Sequence, residues 1–138
     1  MKTTVTLLAL LLASAEDIKH LLIPNIFAVL IIIFCGRPHI IDGTAVLLIW
    51  FTSVLLTTMF NLPVPFGMGD AKLLAALAFS FGLPSCAEIF SIAALLSGIS
   101  AAIILVLASV LKLPKPEELP FAPFISAGFI ITVLFRVF

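Results

Sequence analysis

The chain reads as an all-α, polytopic membrane protein with about six transmembrane helices, and three observations predict that class. Hydrophobic residues fill 63% of its 138 positions and charged residues 10%, with a mean hydropathy of +1.37. A water-soluble domain of this length has no core large enough for so much apolar sequence. The apolar residues fall into six runs separated by Pro, Gly and charged clusters. The formal net charge is zero and the few Lys and Arg are scattered, which excludes a basic face for nucleic acid.

The first helix is expected over 3–16 and ends in the charged stretch Glu16 to His20. Lys2, the apolar run from Val5 to Leu12 and then Ala13-Ser14-Ala15 also fit a cleaved signal peptide. That second reading would put Glu16 and Asp17 on the outer side, and the local pattern leaves both readings open. The second helix, 24–35, begins at Pro24, a residue suited to a first helical turn. A break from Gly36 to Gly43 carries Arg37, His39 and Asp42 before the third helix, 44–60. The Pro- and Gly-rich stretch Asn61 to Asp70 separates it from the fourth, 71–82, in which Lys72 is the sole charge. The fifth helix spans 87–111, Lys112 to Pro120 forms a stiff polar loop, and the sixth spans 123–137. Several runs fall short of the ~20 residues that cross a ~30 Å hydrocarbon core, which favours local thinning or a site sunk below the membrane surface.

With six crossings, one side collects Lys19, Lys72, Lys112 and Lys115, and the other Lys2, Arg37 and Arg136. The larger set nominates its side as cytoplasmic. Arg37 and Glu88 then read as outer-side interfacial charges. Cys35 and Cys86 also fall on the outer side, where a disulfide is open to them. They form no CxxC pair, so no zinc ligand set is expected.

Ionisable residues at membrane depth cost several kcal/mol, so intramembrane carboxylates beside helix ends are functional candidates. Asp17 sits at the end of the first run and Asp70 at the start of the fourth, after Gly67-Met68-Gly69. The glycines allow positive φ and close backbone approach beside the carboxylate. Alone, Asp70 reads as an ordinary N-cap and Asp17 as an interfacial charge. His20, His39 and Asp42 carry no assigned role.

Together the motifs Asp17-Ile18-Lys19 with Ile23-Pro24-Asn25, Gly67-Met68-Gly69-Asp70-Ala71-Lys72, and Pro120-Phe121-Ala122-Pro123 with Gly128 resemble the type IV prepilin peptidases and related preflagellin peptidases, intramembrane aspartic proteases of the GxGD type. The resemblance extends in order and spacing along nearly the whole chain. It implies one membrane-embedded prepilin peptidase domain over 1–138, of the minimal type that serves tight-adherence (Flp) pili. No segment could supply the methyltransferase domain of larger members, so N-methylation is not expected. The resemblance implies catalytic Asp17 and Asp70, with Lys19, Pro24, Asn25, Gly67, Gly69, Lys72, Pro120 and Pro123 in supporting or substrate-binding places. It also implies a first helix that is retained and an inner-membrane, multi-pass chain with its site facing the cytoplasm. Expected partners are a prepilin or pseudopilin with a short basic leader, membrane lipid and the pilus assembly machinery, without nucleic acid. Leu21 and Leu22 depart from the family's pattern, which often has basic residues there.

Two neighbouring carboxylates cannot both ionise cheaply, so one keeps a proton and the pair can activate a water. That chemistry needs no metal or cofactor. Helix ends predict the anion on Asp70, at a helix N-terminus, and the proton on Asp17, at a C-terminus. Lys72 opposes the dipole of its helix; it anchors lipid phosphate or steers substrate, or it merely snorkels. Glu117 and Glu118 either attract the basic leader or solvate their loop. The rival class is a small proton- or cation-coupled transporter or channel subunit, which leaves Gly-x-Gly and Ile-Pro-Asn unexplained and finds no inverted repeat. A catalytically idle pilus-assembly scaffold is a third reading.

Overall fold

A computed structural model describes residues 2–36, 38–62, 67–112 and 119–137. Among them the chain forms six helices and no strand: α1 (Lys2–His20), α2 (Asn25–Cys35), α3 (Ile40–Met59), α4 (Met68–Phe81), α5 (Leu83–Leu111) and α6 (Ala122–Val137). The all-α expectation holds. Among the described residues only α3 and α5 are both long and apolar enough to cross a membrane, with mean hydropathies of 1.9 and 2.5. The 14 residues of α4 reach about 21 Å at the α-helical rise, short of a full bilayer core. Among the described residues six helices are present, two of them passing the length and composition test for a membrane span.

Several helices begin or end beyond the apolar runs. α1 continues to His20, with Glu16 and His20 facing each other at 3.9 Å one turn apart. α5 begins at Leu83 with Pro84 in its first turn, where the missing N–H costs nothing. α4 begins at Met68 on a Gly67 cap, which makes Asp70 the third residue of the helix and corrects its reading as an N-cap.

α4 is the hub. Ala71 and every residue from Leu73 to Ala78 are buried, the pattern of a helix enclosed on all sides. It packs against α2, α3 and α5, while α1 packs against α2 and α6, and α6 against α5. Small residues permit the close approaches: a Cβ on Gly128 would lie 2.6 Å from the Ile89 carbonyl oxygen of α5, so α6 reaches α5 only because glycine stands there. Outward faces are apolar, with Ile41, Leu48, Phe51, Leu95, Val106 and Phe135 all exposed. Hydroxyls on the long helices donate into their own helical carbonyls, as from Thr52 to Leu48, Thr58 to Val54, Ser91 to Ala87 and Ser109 to Leu105. Such groups are satisfied without water.

The thiols do not pair. Cys35 is buried beside Thr6, with Sγ 3.2 Å from the hydroxyl, and Cys86 is buried and donates to the Leu74 carbonyl at 3.3 Å. Each sulfur is held in a different helix contact, which removes the disulfide left open above. Glu88 is exposed near the start of α5. Arg37, Lys115, Glu117, Glu118 and the side chain of Arg136 lie outside the described residues.

Candidate active site

One end of the bundle gathers the end of α1 and the starts of α2, α4 and α6. The inward face of α1 is Thr6, Leu10, Ala13, Ser14 and Asp17, recurring at helical spacing, so the helix that buries Leu10 also carries Asp17 inward. Asp17 is only 6% exposed. Its Oδ2 accepts a hydrogen bond from the Ala122 N–H, at 3.0 Å, across 105 positions of sequence. Ala122 opens α6, so this is one of the N–H groups that a helix leaves without an internal partner. Leu21, at φ 52°, ends α1 and donates its N–H to the Asp17 carbonyl at 2.9 Å.

A hydroxyl pair fixes α1 to α6 one turn away. Ser14 Oγ donates to the Leu10 carbonyl at 2.7 Å and lies 2.6 Å from Ser126 Oγ. Ser126 Oγ is in turn 3.0 Å from the Leu10 carbonyl and 3.1 Å from that of Ala122. Ala122 is therefore gripped at both its polar atoms, the N–H by Asp17 and the C=O by Ser126.

Asp70 lies in the first turn of α4, within reach of the charge of Asp17. Its Oδ1 is buried and has no hydrogen-bond partner among the described residues. A buried, unpaired carboxyl oxygen is costly in a folded chain and needs an explanation. Gly69 brings this turn against the Ile-Pro-Asn segment, because a Cβ there would stand 3.0 Å from the Ile23 Cβ. Close approach is the role of Gly69 alone: a Cβ on Gly67 would meet only Asp70 Oδ2 at an ordinary 3.7 Å, Gly67 sits at φ −69° and neither glycine has positive φ.

The remaining sequence candidates divide. Lys72 Nζ donates to Asn25 Oδ1 at 2.9 Å, tying the Gly-x-Gly-Asp-x-Lys turn to Ile-Pro-Asn. Pro24 is the cap before α2, at φ −60° and ψ 136°, and so precedes the first turn. Pro120 and Pro123 are half-buried on either side of Ala122. Lys19 is exposed, with no hydrogen bond or ion pair to either carboxyl among the described residues. Among those residues no three His, Cys, Asp or Glu come together as a metal-binding group.

Asp17 lies near the C-terminus of α1, as expected, but the fold also sets its carboxylate on the N-terminus of α6, so helix ends do not by themselves place the proton on Asp17. Ser14, Ala122 and Ser126 escaped the sequence reading because small residues with no local pattern carry no signal until 112 positions of chain fold back.

Residues 4–113 match the model of the type IV leader peptidase family, so the turn that opens α6 lies beyond the matched stretch. No curated protein and no solved structure matches the chain.

Proposed function

The chain belongs to the type IV leader peptidase family, and from that premise we propose that it is an intramembrane aspartic endopeptidase whose reacting groups are Asp17 and Asp70. The family supplies the coarser statement, a leader-peptidase-like protease among membrane proteins that act on prepilins. The finer reading is that it removes the short basic leader of Flp-type prepilins or pseudopilins at the cytoplasmic face of the inner membrane. One observation carries it: the buried, unpartnered Oδ1 of Asp70 facing the field of a second buried carboxyl. A structural aspartate would have its oxygens occupied, whereas a reacting one must leave an oxygen for water or substrate.

In this mechanism a water between the carboxyls attacks the scissile carbonyl. The ionised carboxylate takes the proton of the water as general base. The protonated one polarises the carbonyl oxygen and then protonates the leaving amine. Lateral entry of an apolar substrate helix is supported by a groove of about 300 Å³ between α3 and α5. Its lining includes Val46, Trp50, Phe90 and, on α4, Leu74, one helical turn from Asp70.

The test is cleavage of a co-expressed Flp-type prepilin, read as a mobility shift, by the intact chain and by Asp17→Asn and Asp70→Asn. The expected result is cleavage by the intact chain alone, with both variants present at normal membrane levels. Cleavage that survives either substitution would remove the carboxylate pair as the engine and favour ion coupling or scaffolding.

A further inference from the structure

We infer that the peptide N–H of Ala122, at the opening of α6, is a positioning group that holds Asp17 as the ionised partner and general base, with the proton of the pair resting on Asp70. The inference deepens the peptidase reading and rests on it.

The two carboxyls differ in what surrounds them. Asp17 Oδ2 takes a 3.0 Å hydrogen bond from a main-chain N–H in a buried setting. That donor favours the charged form of its acceptor, and a helix N-terminus adds the positive end of the dipole. Asp70 is half-buried, and its enclosed Oδ1 meets no donor. The Gly67 backbone N–H and the start of α4 favour an anion on the Asp70 carboxyl, but burial and the charge of Asp17 oppose it and outweigh them, while a neutral carboxylic acid keeps an O–H to give to a substrate carbonyl. Ala122 cannot drift from Asp17, because Ser14 and Ser126 lock the same turn of α6 to Leu10 of α1. A backbone donor also cannot change its protonation, so it aims one fixed dipole at Oδ2 through the whole cycle.

The other charges near this end do not reverse the assignment. Asp70 is the titratable group that faces Asp17 from α4, and Lys72 on the same helix is turned to Asn25. The described parts of α2 and α6 bring no charged side chain to this end. On α1, Glu16 and His20 face each other at the surface and Lys19 is exposed. Lys112 is exposed at the C-cap of α5.

Proline at position 122 deletes the donor at the first residue of α6, a place where helices accept proline. With purified full chain and a prepilin substrate, Ala122→Pro should move the acid limb of the pH–kcat profile up by about one unit, the scale of one lost donor, and leave KM unchanged. Ala122→Gly keeps the donor and should keep the limb at its wild-type position whatever its rate. A limb that stays put in Ala122→Pro, with only the amplitude reduced, would make Ala122 merely structural and overturn the inference.

A second measurement uses the unaltered chain and needs neither cleavage nor a variant that folds. Carbonyl-13C phenylalanine with 15N alanine selects only two peptide groups, Phe27–Ala28 and Phe121–Ala122. The pair titrates in two macroscopic steps, and the Ala122 amide resonance of the micelle-embedded protein should move mainly at the lower one, where Asp17 gains its proton. Movement mainly at the upper step would mean that Asp17 holds the resting proton, and the inference would fall while the peptidase reading stood. Failure of the wild type to cleave would remove the peptidase reading and leave the amide titration to judge the assignment.

Discussion

The two ends of the bundle each hold an aspartate that accepts a hydrogen bond from the first N–H of a neighbouring helix. Asp17 takes the N–H of Ala122 at 3.0 Å and Asp42 takes that of Leu83 at 3.1 Å. The contact is the same and the company differs. The Asp42 side chain is 30% exposed and has His39 Nδ1 at 3.5 Å, so water and a potential cation compensate its charge. Asp17 is buried and lies within the field of a second carboxyl, one of whose oxygens has no partner among the described residues. A cap stabilises its helix in either place; only the second arrangement leaves a group with something still to bind.

The largest effect separates these two aspartates. Asp17→Asn should reduce prepilin cleavage by at least about 10³-fold, as loss of one member of an acid–base pair does. Asp42→Asn should leave cleavage intact, because an amide oxygen still accepts the Leu83 N–H. Its cost should stay below about 1 kcal/mol, the charge–dipole share of the contact, read as a small fall in resistance to denaturation. Equal loss of cleavage from both substitutions would erase the distinction between the two ends.

The same pair marks how far the sequence was legible. Apolar runs announced six helices, and Asp17, Asp70 and Ile-Pro-Asn, grouped by motif in the sequence, fall at one end of the bundle. Helix limits were off by up to about four residues where charge was read as a break. Asp17 and Asp42 are both absorbed into helices because each finds its donor in another element, a tertiary fact that local polarity cannot report. The roles of Asp42 and of Ala122 were invisible for that reason, since one side chain and one backbone N–H became significant only on meeting distant helix termini. Gly69 was legible as an approach point but for half the right reason, since its size matters there and its φ does not.

Glycines sharpen the contrast at a smaller scale. Gly82, at the Asp42 end, has φ 86° and ψ 161°, a conformation that side chains reach only with strain. Gly82→Ala should destabilise the chain by about 1–3 kcal/mol and leave the kcat of the folded fraction as it was. Gly69→Ala strains no dihedral but forces Ile23 away by a few tenths of an ångström. It should therefore reduce kcat roughly tenfold with little loss of stability, since misplacement of about 1 Å costs near 10²-fold. A kcat effect at Gly82 larger than at Gly69 would mean that the two ends are mechanically coupled, and the Asp17 end could not be treated alone.

The smallest effect belongs to Lys72 and Asn25, joined at 2.9 Å between a half-buried amine and an exposed amide. Solvent weakens such a contact, so a double-mutant cycle with Lys72→Ala and Asn25→Ala should return a coupling below about 1 kcal/mol in kcat/KM. The sign and the place of the coupling matter more than its size. If the pair only braces the α2 and α4 turns, the double variant should be no worse than Lys72→Ala alone, and KM should carry the change. If Lys72 instead snorkels and its bond to Asn25 is incidental, Asn25→Ala will leave cleavage of every prepilin unaltered. The brace between the two motifs would then reduce to the single contact of Gly69 with Ile23.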